Sequence, residues 1–473
     1  MNSVQKSAAI SVIRTLREHG YQAYLVGGCV RDLLLHREPA DYDVSTDATP
    51  RDVMRIFPET YAVGAQFGVV LVPVDGLTAR DLERAAQNEE QQDQTPTEAA
   101  RHHAIEVATF RSDGLYTDGR HPDDVRFSKT AEEDVQRRDF TINGLLLDPL
   151  NPEFQPEGEV IDYVGGRADL DAGIIRTIGN PERRFSEDKL RMLRALRFAA
   201  RFEYQIDPPT FAAIRRLAPQ IRQVSRERIR EELTRMLTEG HAKCAFELLD
   251  QSGLLHEILP EIEKMKGVQQ PPEYHPEGDV FVHTLMLLEQ LPAGVSRTLA
   301  WGALLHDVGK PPTFRVAPDR IRFDGHVEVG EAMARDIAQR LRMSNDDIEQ
   351  IVALVRNHMK FADAMKMKES TLKRFLRLPK FPEHLELHRI DCLSSHRNLG
   401  MYDFVSTKLE ETPAAAIRPV PLLTGEDLIA AGYVPGPRFK EILSAVEDHQ
   451  LEGSLNTREA ALDFVAANFP VTS

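Results

Sequence analysis

The segment Tyr24-Leu25-Val26-Gly27-Gly28-Cys29-Val30-Arg31-Asp32, followed about a dozen residues after its glycine pair by Asp41-Tyr42-Asp43, decides how the N-terminal part of this chain is read. Ala23 to Val26 form a short apolar strand that runs into Gly27-Gly28, and a helix follows from Cys29 to Leu35. The next strand covers Tyr42 to Ser45. Thr49-Pro50 opens another helix with a capping side chain and a first-position proline, and Gly68 to Val74 is a β-branched strand. Upstream, residues 4 to 19 carry helical apolar spacing that Gly20 stops, and downstream the strand signal returns at Ala104 to Phe110. Alternating signals of this kind predict a mixed α/β head.

Carboxylates at i and i+2 of a strand share one face, with α-carbons about 6 to 7 Å apart. Asp41 and Asp43 at that spacing can hold divalent metals about 4 Å apart, as two-metal phosphoryl and nucleotidyl transfer requires. The Gly27-Gly28 corner before a helix offers backbone amides to a triphosphate, and Arg31 is placed to add charge. Taken singly, an Asp-x-Asp strand also fits a solvated face, and the glycine corner a plain tight turn. Their order and spacing favour the metal reading.

The whole segment resembles motif A of the class II tRNA nucleotidyltransferase and bacterial poly(A) polymerase family. The likeness continues in order along the chain. Arg137-Arg138-Asp139-Phe140-Thr141-Ile142-Asn143 resembles motif B, which implies ribose contacts for Arg138, Asp139 and Asn143, with Gly144 standing where the family commonly has Ala. Glu187-Asp188-Lys189-Leu190-Arg191 resembles motif D, the amino-acid template. Asp188 and Arg191, read as i and i+3 on one helix face, put an acceptor beside a donor. That pattern matches cytosine and adenine and leaves groups unpaired against uracil and guanine, at about 1–3 kcal/mol each. Arg194, Arg197 and the stretch with Arg226, Arg228 and Arg230 resemble helices of the family's neck, which implies nucleotide binding for the first two and RNA binding for the other three. The segment from Glu106-Val107-Ala108-Thr109-Phe110-Arg111 through Tyr116 and Gly119-Arg120-His121-Pro122 resembles the family's flexible loop, and Glu106 is a candidate third carboxylate.

A second resemblance, to the HD phosphohydrolase superfamily, rests on His283, the doublet His306-Asp307 and the distant Asp391. His326 and His358 complete a second set of metal ligands, and Lys310 is expected to face a phosphate. Imidazole with carboxylate suits Mg²⁺, Mn²⁺, Fe or Ni²⁺ more than structural zinc, which usually recruits cysteine.

Composition bounds the rest. A chain of 473 residues exceeds one core. The fold class implied is α+β: a mixed-sheet nucleotidyltransferase head over 1–150 with an exposed polar insertion at 75–101, then an all-helical neck over 151–240, an HD domain over 241–410 and a C-terminal helical tail over 411–473. Cys29, Cys244 and Cys392 have neither zinc nor disulfide spacing, and no run of about 18 apolar residues occurs, so a cytoplasmic protein without a membrane partner is expected. The net charge of -16 argues superficially against a polyanion partner, but Arg176 to Arg235 hold fifteen Lys and Arg against eight Asp and Glu. That basic stretch fits either a nucleic-acid surface or a salt-bridged helical face.

Together these readings imply an enzyme that adds C and A to tRNA 3′ ends from CTP and ATP with Mg²⁺ in the head, and an additional HD phosphohydrolase site using a transition metal such as Ni²⁺ or Mn²⁺, or Mg²⁺. Three alternatives stand at this point. One is an A-adding enzyme or poly(A) polymerase, although Val63-Gly64-Ala65-Gln66-Phe67-Gly68-Val69 lacks the basic doublet associated with bacterial poly(A) polymerases. The second is an HD phosphohydrolase whose head only binds RNA, and the third a non-catalytic tRNA-binding module. The sequence carries no signal of oligomeric state.

Overall fold

The computed structural model describes residues 2–61, 68–74, 104–113, 125–154, 158–273, 275–318 and 320–470. The insertion expected at 75–101, the loop through Tyr116 and Gly119 to Pro122, and Val63 to Phe67 lie outside them. The chain divides into two compact units, Met1–Pro260 and Glu261–Ser473.

Unit one begins with helix α1 (Asn2–Glu18), whose Ala9, Val12, Ile13 and Leu16 are buried at helical spacing, and Gly20 ends it at φ +86°. Strand β1 (Ala23–Val26) leads through Gly27 into helix α2 (Gly28–Leu34), and strand β2 (Asp43–Thr46) runs back antiparallel to β1. Helix α3 (Pro50–Ile56) starts as its sequence demands: the Thr49 side chain and Asp52 cap each other's backbone N–H groups, with Pro50 at the first position. Strands β3 (Val69–Pro73), β4 (Ala104–Thr109), β7 (Leu145–Asp148) and β8 (Glu159–Asp162) complete a six-stranded sheet ordered β3-β4-β2-β1-β7-β8, with β5 (Arg111–Asp113) and β6 (Val125–Phe127) forming a separate hairpin. Within the sheet β2 and β4 are parallel and the other pairs antiparallel.

Helices Pro181–Glu187, Leu190–Phe202, Pro208–Leu217, Arg226–Thr238 and Ala242–Ser252 follow. The fold is α+β, with two departures from the expected boundaries. β8 extends the sheet past residue 150, because pairing with β7 covers what would otherwise be an open edge of β7. The boundary placed near 240 falls inside unit one, because Ala242, Ala245, Phe246 and Leu249 line the buried stripe of their helix and belong to the same compact unit as the neck.

Unit two is helical apart from a two-stranded hairpin, Arg315–Val316 with Ile321–Arg322, which the sequence reading did not anticipate. Its long helices are Val280–Glu289, Arg297–Leu305, His326–Arg340, Asn345–Asn357 and Phe381–Ser394. The last segment has its own apolar cluster around Leu428, Ile442 and Val446. Among the described residues no helix is long and apolar enough to cross a membrane, and the three cysteines are free.

Backbone packing fixes the turn that carries Asn143. A Cβ on Gly166 would overlap the Thr141 carbonyl and approach Leu145. Gly166→Ala is therefore expected to lower stability by about 1–3 kcal/mol through overpacking, read as a lowered thermal midpoint of the full chain. An unchanged midpoint would show that the turn yields freely.

Candidate active sites

Strand β2 begins at Asp43, so Asp41 precedes the strand rather than lying on it. The alternation nevertheless persists: Asp41 is exposed, Tyr42 is 4 % exposed and Asp43 is half-buried. Parallel pairing of β2 on β4 brings Asp43 directly opposite Glu106, and paired residues on neighbouring strands project to the same face of a sheet. Glu106 is thus brought beside the Asp pair. The Cys29 thiol, near the Asp43 carbonyl, is pushed up to about 12 by burial and by the Asp43 charge, which leaves it an inert core group.

Gly27 takes φ +77°, and a Cβ there would stand 3.1 Å from Arg138 Nη1. A side chain would crowd the guanidinium that lies over the turn. Arg138 Nη2 also donates to the buried Asp134 at 3.0 Å. Asp139 sits at the centre of a network: its Oδ1 accepts from Asn143 Nδ2 at 3.0 Å, and its Oδ2 accepts from Arg194 Nε and Nη2 at 2.9 and 2.7 Å. Burial opposes ionisation of Asp139, but the Arg194 charge and the Asn143 and Arg194 hydrogen bonds outweigh it and hold the carboxyl far below its usual range. Arg31 continues the chain by donating to Asn143 Oδ1 at 2.6 Å while its guanidinium lies over Phe198 and Phe202.

Two arginines expected at the nucleotide lie in buried networks. Arg31 is 4 % exposed and bound to Asp32 and Asn143, and its donors hold the motif B turn. Arg197 is equally buried, with Nε on Glu232 at 2.7 Å and Nη1 on Glu239 at 3.1 Å. It braces the neck behind Arg194.

Motif D also departs from expectation. Asp188 does not share a helix face with Arg191. The helix Pro181–Glu187 ends at Asp188, which is extended (φ −142°, ψ 108°), and the next helix starts at Leu190. Asp188 Oδ1 accepts from the Leu190 N–H at 3.0 Å in a local turn before that helix, and Oδ2 accepts from Arg228 at 2.8 Å. Arg191 donates instead to Glu187 at 2.9 Å and to the Arg137 carbonyl at 3.1 Å. The two groups are held near each other by separate partners, and Arg228, expected to bind RNA, is spent on Asp188. Arg226 and Arg230 are half-buried on the same helix, with Arg230 beside Glu231. Much of the basic stretch is neutralised internally, as by Arg176 with Asp169 and Asp207, Arg216 with Glu182, and Arg222 with Glu257.

In unit two the helices Val280–Glu289, Arg297–Leu305, His326–Arg340, Asn345–Asn357 and Phe381–Ser394 bring all six expected ligands together. His283, His306 and Asp391 form one group, and Asp307, His326 and His358 another, each with ligand atoms within 4.8 Å. The groups adjoin: His306 Nε2 is 3.1 Å from Asp307 Oδ2 and 3.4 Å from His283 Nε2, and His283 Nε2 is 3.1 Å from Asp391. The Nδ1 atoms of His306, His326 and His358 face the carbonyls of Ala303, Phe323 and Val355 three residues earlier, at 2.8, 3.0 and 2.6 Å. A carbonyl only accepts, so each Nδ1 carries the proton and each Nε2 presents a lone pair inward. Among the described residues, buried Nε2 of His326 and of His358 finds no hydrogen-bond partner. Burial drives His358 down to about 4, which keeps it neutral. These donors fit a metal ion. Lys310, expected to face a phosphate, is instead buried with Nζ on Asp307 at 2.7 Å and on Gln270 at 2.6 Å.

Comparison with known proteins covers both regions. Residues 23–78 and 74–176 match the model of the poly A polymerase head domain, 203–266 that of the probable RNA and SrmB-binding site of polymerase A, and 279–394 that of the HD domain. The CCA-adding enzyme of Geobacillus stearothermophilus is 40 % identical over 246 residues, so the match spans about half of each chain, 52 % of this one and 53 % of the relative. That of Enterococcus faecalis is 32 % identical over 467 residues, covering 96 % of this chain and 94 % of the relative. The chain belongs to the CCA-adding enzyme family. A solved structure of the Bacillus stearothermophilus CCA-adding enzyme in complex with CTP superposes with a TM-score of 0.69 at 26 % identity, covering 99 % of this chain and 98 % of that one.

Within the CCA-adding enzyme fold, sequence reading missed three supporting groups. Glu187 binds Arg184 and Arg191, Glu232 binds Arg197, and Glu277 lies 2.8 Å from both His275 Nδ1 and His283 Nδ1. Glu232 lies in the stretch quoted for the neck, but its partner is 35 residues away, beyond any local spacing rule. His275-Pro276-Glu277 precedes the HD match and carries no helical period that would mark it.

The Asp139 network predicts a pH effect. Its folded pKa is depressed, so the stability it contributes is complete above the ordinary carboxylate pKa of about 4 and is lost as pH falls below it. Asp139→Asn should be destabilised at neutral pH, by about 3–5 kcal/mol if Arg194 is left unpaired, and its urea midpoint should fall less steeply than the wild-type midpoint between pH 5 and pH 3. Parallel profiles would remove Asp139 from acid unfolding.

Proposed function

We propose that this chain adds C and A to the 3′ end of tRNA from CTP and ATP, and that the HD cluster is a second, phosphohydrolase site. The observation that carries the first reading is Asp43 in register with Glu106, two residues after Asp41, in a chain matched along 96 % of its length to a CCA-adding enzyme. An oxygen-only donor set suits Mg²⁺, which when bound supplies charge stabilisation to the transferring phosphoryl group. Asp41 and Asp43 hold that ion, Gly28 offers its amide while Gly27, whose own N–H is taken by the Leu145 carbonyl, permits close approach, and Arg138 adds charge beside them. Asp139 and Asn143 meet the ribose with the hydrogen-bonding capacity left over from their network. Asp188 and Arg191 read the base, Asp188 steadied by Arg228 and Arg191 by Glu187. Arg194 holds Asp139, and Arg197 supports it from within the core. Arg226 and Arg230 face tRNA phosphates. The relatives named as CCA-adding enzymes, and a solved relative in complex with CTP, favour this reading over an A-adding enzyme, a poly(A) polymerase, a hydrolase with an RNA-binding head or a non-catalytic binding module. tRNA as partner and the free cysteines support assignment to the cytoplasm.

The test uses tRNA transcripts ending before CCA, after C and after CC, each with one nucleotide at a time. The wild type should add C to the first two and A to the third. Asp41→Ala and Asp43→Ala should lose incorporation by at least about 10³-fold while binding tRNA within a few-fold, and Asp188→Ala or Arg191→Ala should admit UTP or GTP. Incorporation that persists in both Asp variants would sink the metal-pair assignment.

The HD reading is favoured by the two orphaned imidazole nitrogens of His326 and His358. Mixed imidazole and carboxylate donors suit Ni²⁺ or Mn²⁺, with Mg²⁺ a weaker fit, and a bound ion supplies activation of water for phosphoester hydrolysis. His283, His306, Asp307, His326, His358 and Asp391 hold it, and Lys310 neutralises Asp307. His306→Ala and Asp307→Ala should lose bound metal and hydrolysis of 2′,3′-cyclic or monoester phosphates, while nucleotide addition stays intact. A wild type that hydrolyses neither with Ni²⁺, Mn²⁺ or Mg²⁺ would leave this region a scaffold for tRNA.

A further inference from the structure

The loop before helix Val280–Glu289 holds a carboxylate that neither the HD match nor the ligand set accounts for. Glu277 is 4 % exposed on its side chain, and it lies two residues ahead of the segment matched to the HD domain, which begins at residue 279. Its Oε1 stands 2.8 Å from His283 Nδ1 and 2.8 Å from His275 Nδ1. The opposite nitrogen of His283, Nε2, faces the cluster, 3.1 Å from Asp391 and 3.4 Å from His306 Nε2.

His283 differs from the other three imidazoles in how its orientation is set. His306, His326 and His358 each turn Nδ1 to a carbonyl of their own chain three residues back. The Nδ1 of His283 instead lies 2.8 Å from a carboxylate outside its helix, at an angle that leaves the hydrogen bond unformed in this geometry. An ionised carboxylate accepts a shorter and stronger hydrogen bond than a carbonyl, and it raises the electron density on the far nitrogen. His275, packed edge-to-face on the His283 ring with centroids 4.8 Å apart, closes the other side of Glu277.

We infer that Glu277 is a positioning residue of the HD metal site, fixing His283 with its proton on Nδ1 so that Nε2 is delivered to the ion, with His275 steadying the carboxylate. This rests on the metal-site reading of the cluster above. The competing arrangement from the same atoms is a separate metal site, since His275, Glu277 and His283 also have ligand atoms within 4.8 Å of one another. The positioning arrangement is favoured because one oxygen stands 2.8 Å from both rings, hydrogen-bonded to His275, and because the second nitrogen of His283 already faces the cluster. Glu277 also borders a cavity of about 620 Å³ with Pro276, Met286, Ser395 and Arg397, so substitutions there have space and do not overpack the core.

The experiment is a Ni²⁺ titration by calorimetry on the full chain stripped of metal, comparing wild type, His306→Ala, Glu277→Ala, Glu277→Gln and His275→Ala. Nucleotide addition and the metal-free thermal midpoint serve as folding controls. Glu277→Ala should keep the number of ions bound and weaken them about 10- to 100-fold. Glu277→Gln, which retains an acceptor for the His283 N–H, should recover a large part of that loss, a rescue that generic destabilisation would not give. His275→Ala should keep the stoichiometry with a smaller loss of affinity. Wild-type affinity in Glu277→Ala overturns the proposal, as does loss of one whole equivalent in both Glu277→Ala and His275→Ala, which would make these residues ligands of their own ion. If His306→Ala binds Ni²⁺ as the wild type does, the metal-site reading itself fails and takes the proposal with it; a loss in His306→Ala without one in Glu277→Ala overturns the proposal alone.

Discussion

Asp139 is a charge kept out of water, and a carboxylate in that situation must be compensated by neighbours that are themselves fixed. Here the compensation comes from both parts of the first unit: Asn143, on the turn before β7, and Arg194, on the helix Leu190–Phe202. The chain of contacts runs on through Arg31 in one direction and, by way of Glu232, to Arg197 in the other. Breaking any link leaves a buried group without its partner. The glycine corner, the motif B turn and the neck helix are thereby tied to one geometry, and Asp43 opens β2 of the sheet to which that corner leads.

Several arginines in the stretch read as basic are paired with carboxylates inside the unit. Arg184 and Arg191 serve Glu187, Arg228 serves Asp188, and Arg197 serves Glu232 and Glu239. A protein that discriminates bases with side chains needs those side chains held still, because a loosely held donor satisfies several hydrogen-bond patterns. The local excess of positive charge is largely converted into rigidity around Asp188 and Arg191.

Elements governed by local rules were legible in the sequence. The α3 cap at Thr49, the Gly20 stop and the order of strands β1 to β4 follow from residue type and period, and the six candidate HD ligands stand out because each is a histidine or aspartate in a superfamily order. What sequence did not give was decided by distant partners. The break at Asp188 arises because its side chain bonds the Leu190 N–H and pairs with Arg228 forty residues on, where local spacing alone suggests an unbroken helix. The head boundary moved because β8 had a free edge to cover, and Arg31 turned inward because Asn143, 112 residues away, offered a buried acceptor. Register supplied what spacing could not: Glu106 became a credible third carboxylate only when β4 paired in parallel with β2.

Gly309 and Gly330 press two backbones of the second unit together, and a Cβ on Gly309 would overlap the His326 carbonyl. The segment after His306-Asp307 and the helix that begins at His326 therefore meet main chain to main chain, where there is no side chain to rotate out of the way. A cage built like this cannot spread. Ca²⁺ seeks six to eight oxygens at about 2.3–2.6 Å in a pliable shell, whereas these imidazoles are anchored to their own helices and stand on a rigid seam. Main chain, not side-chain rotamers, therefore sets the separation of these two ligand-bearing segments.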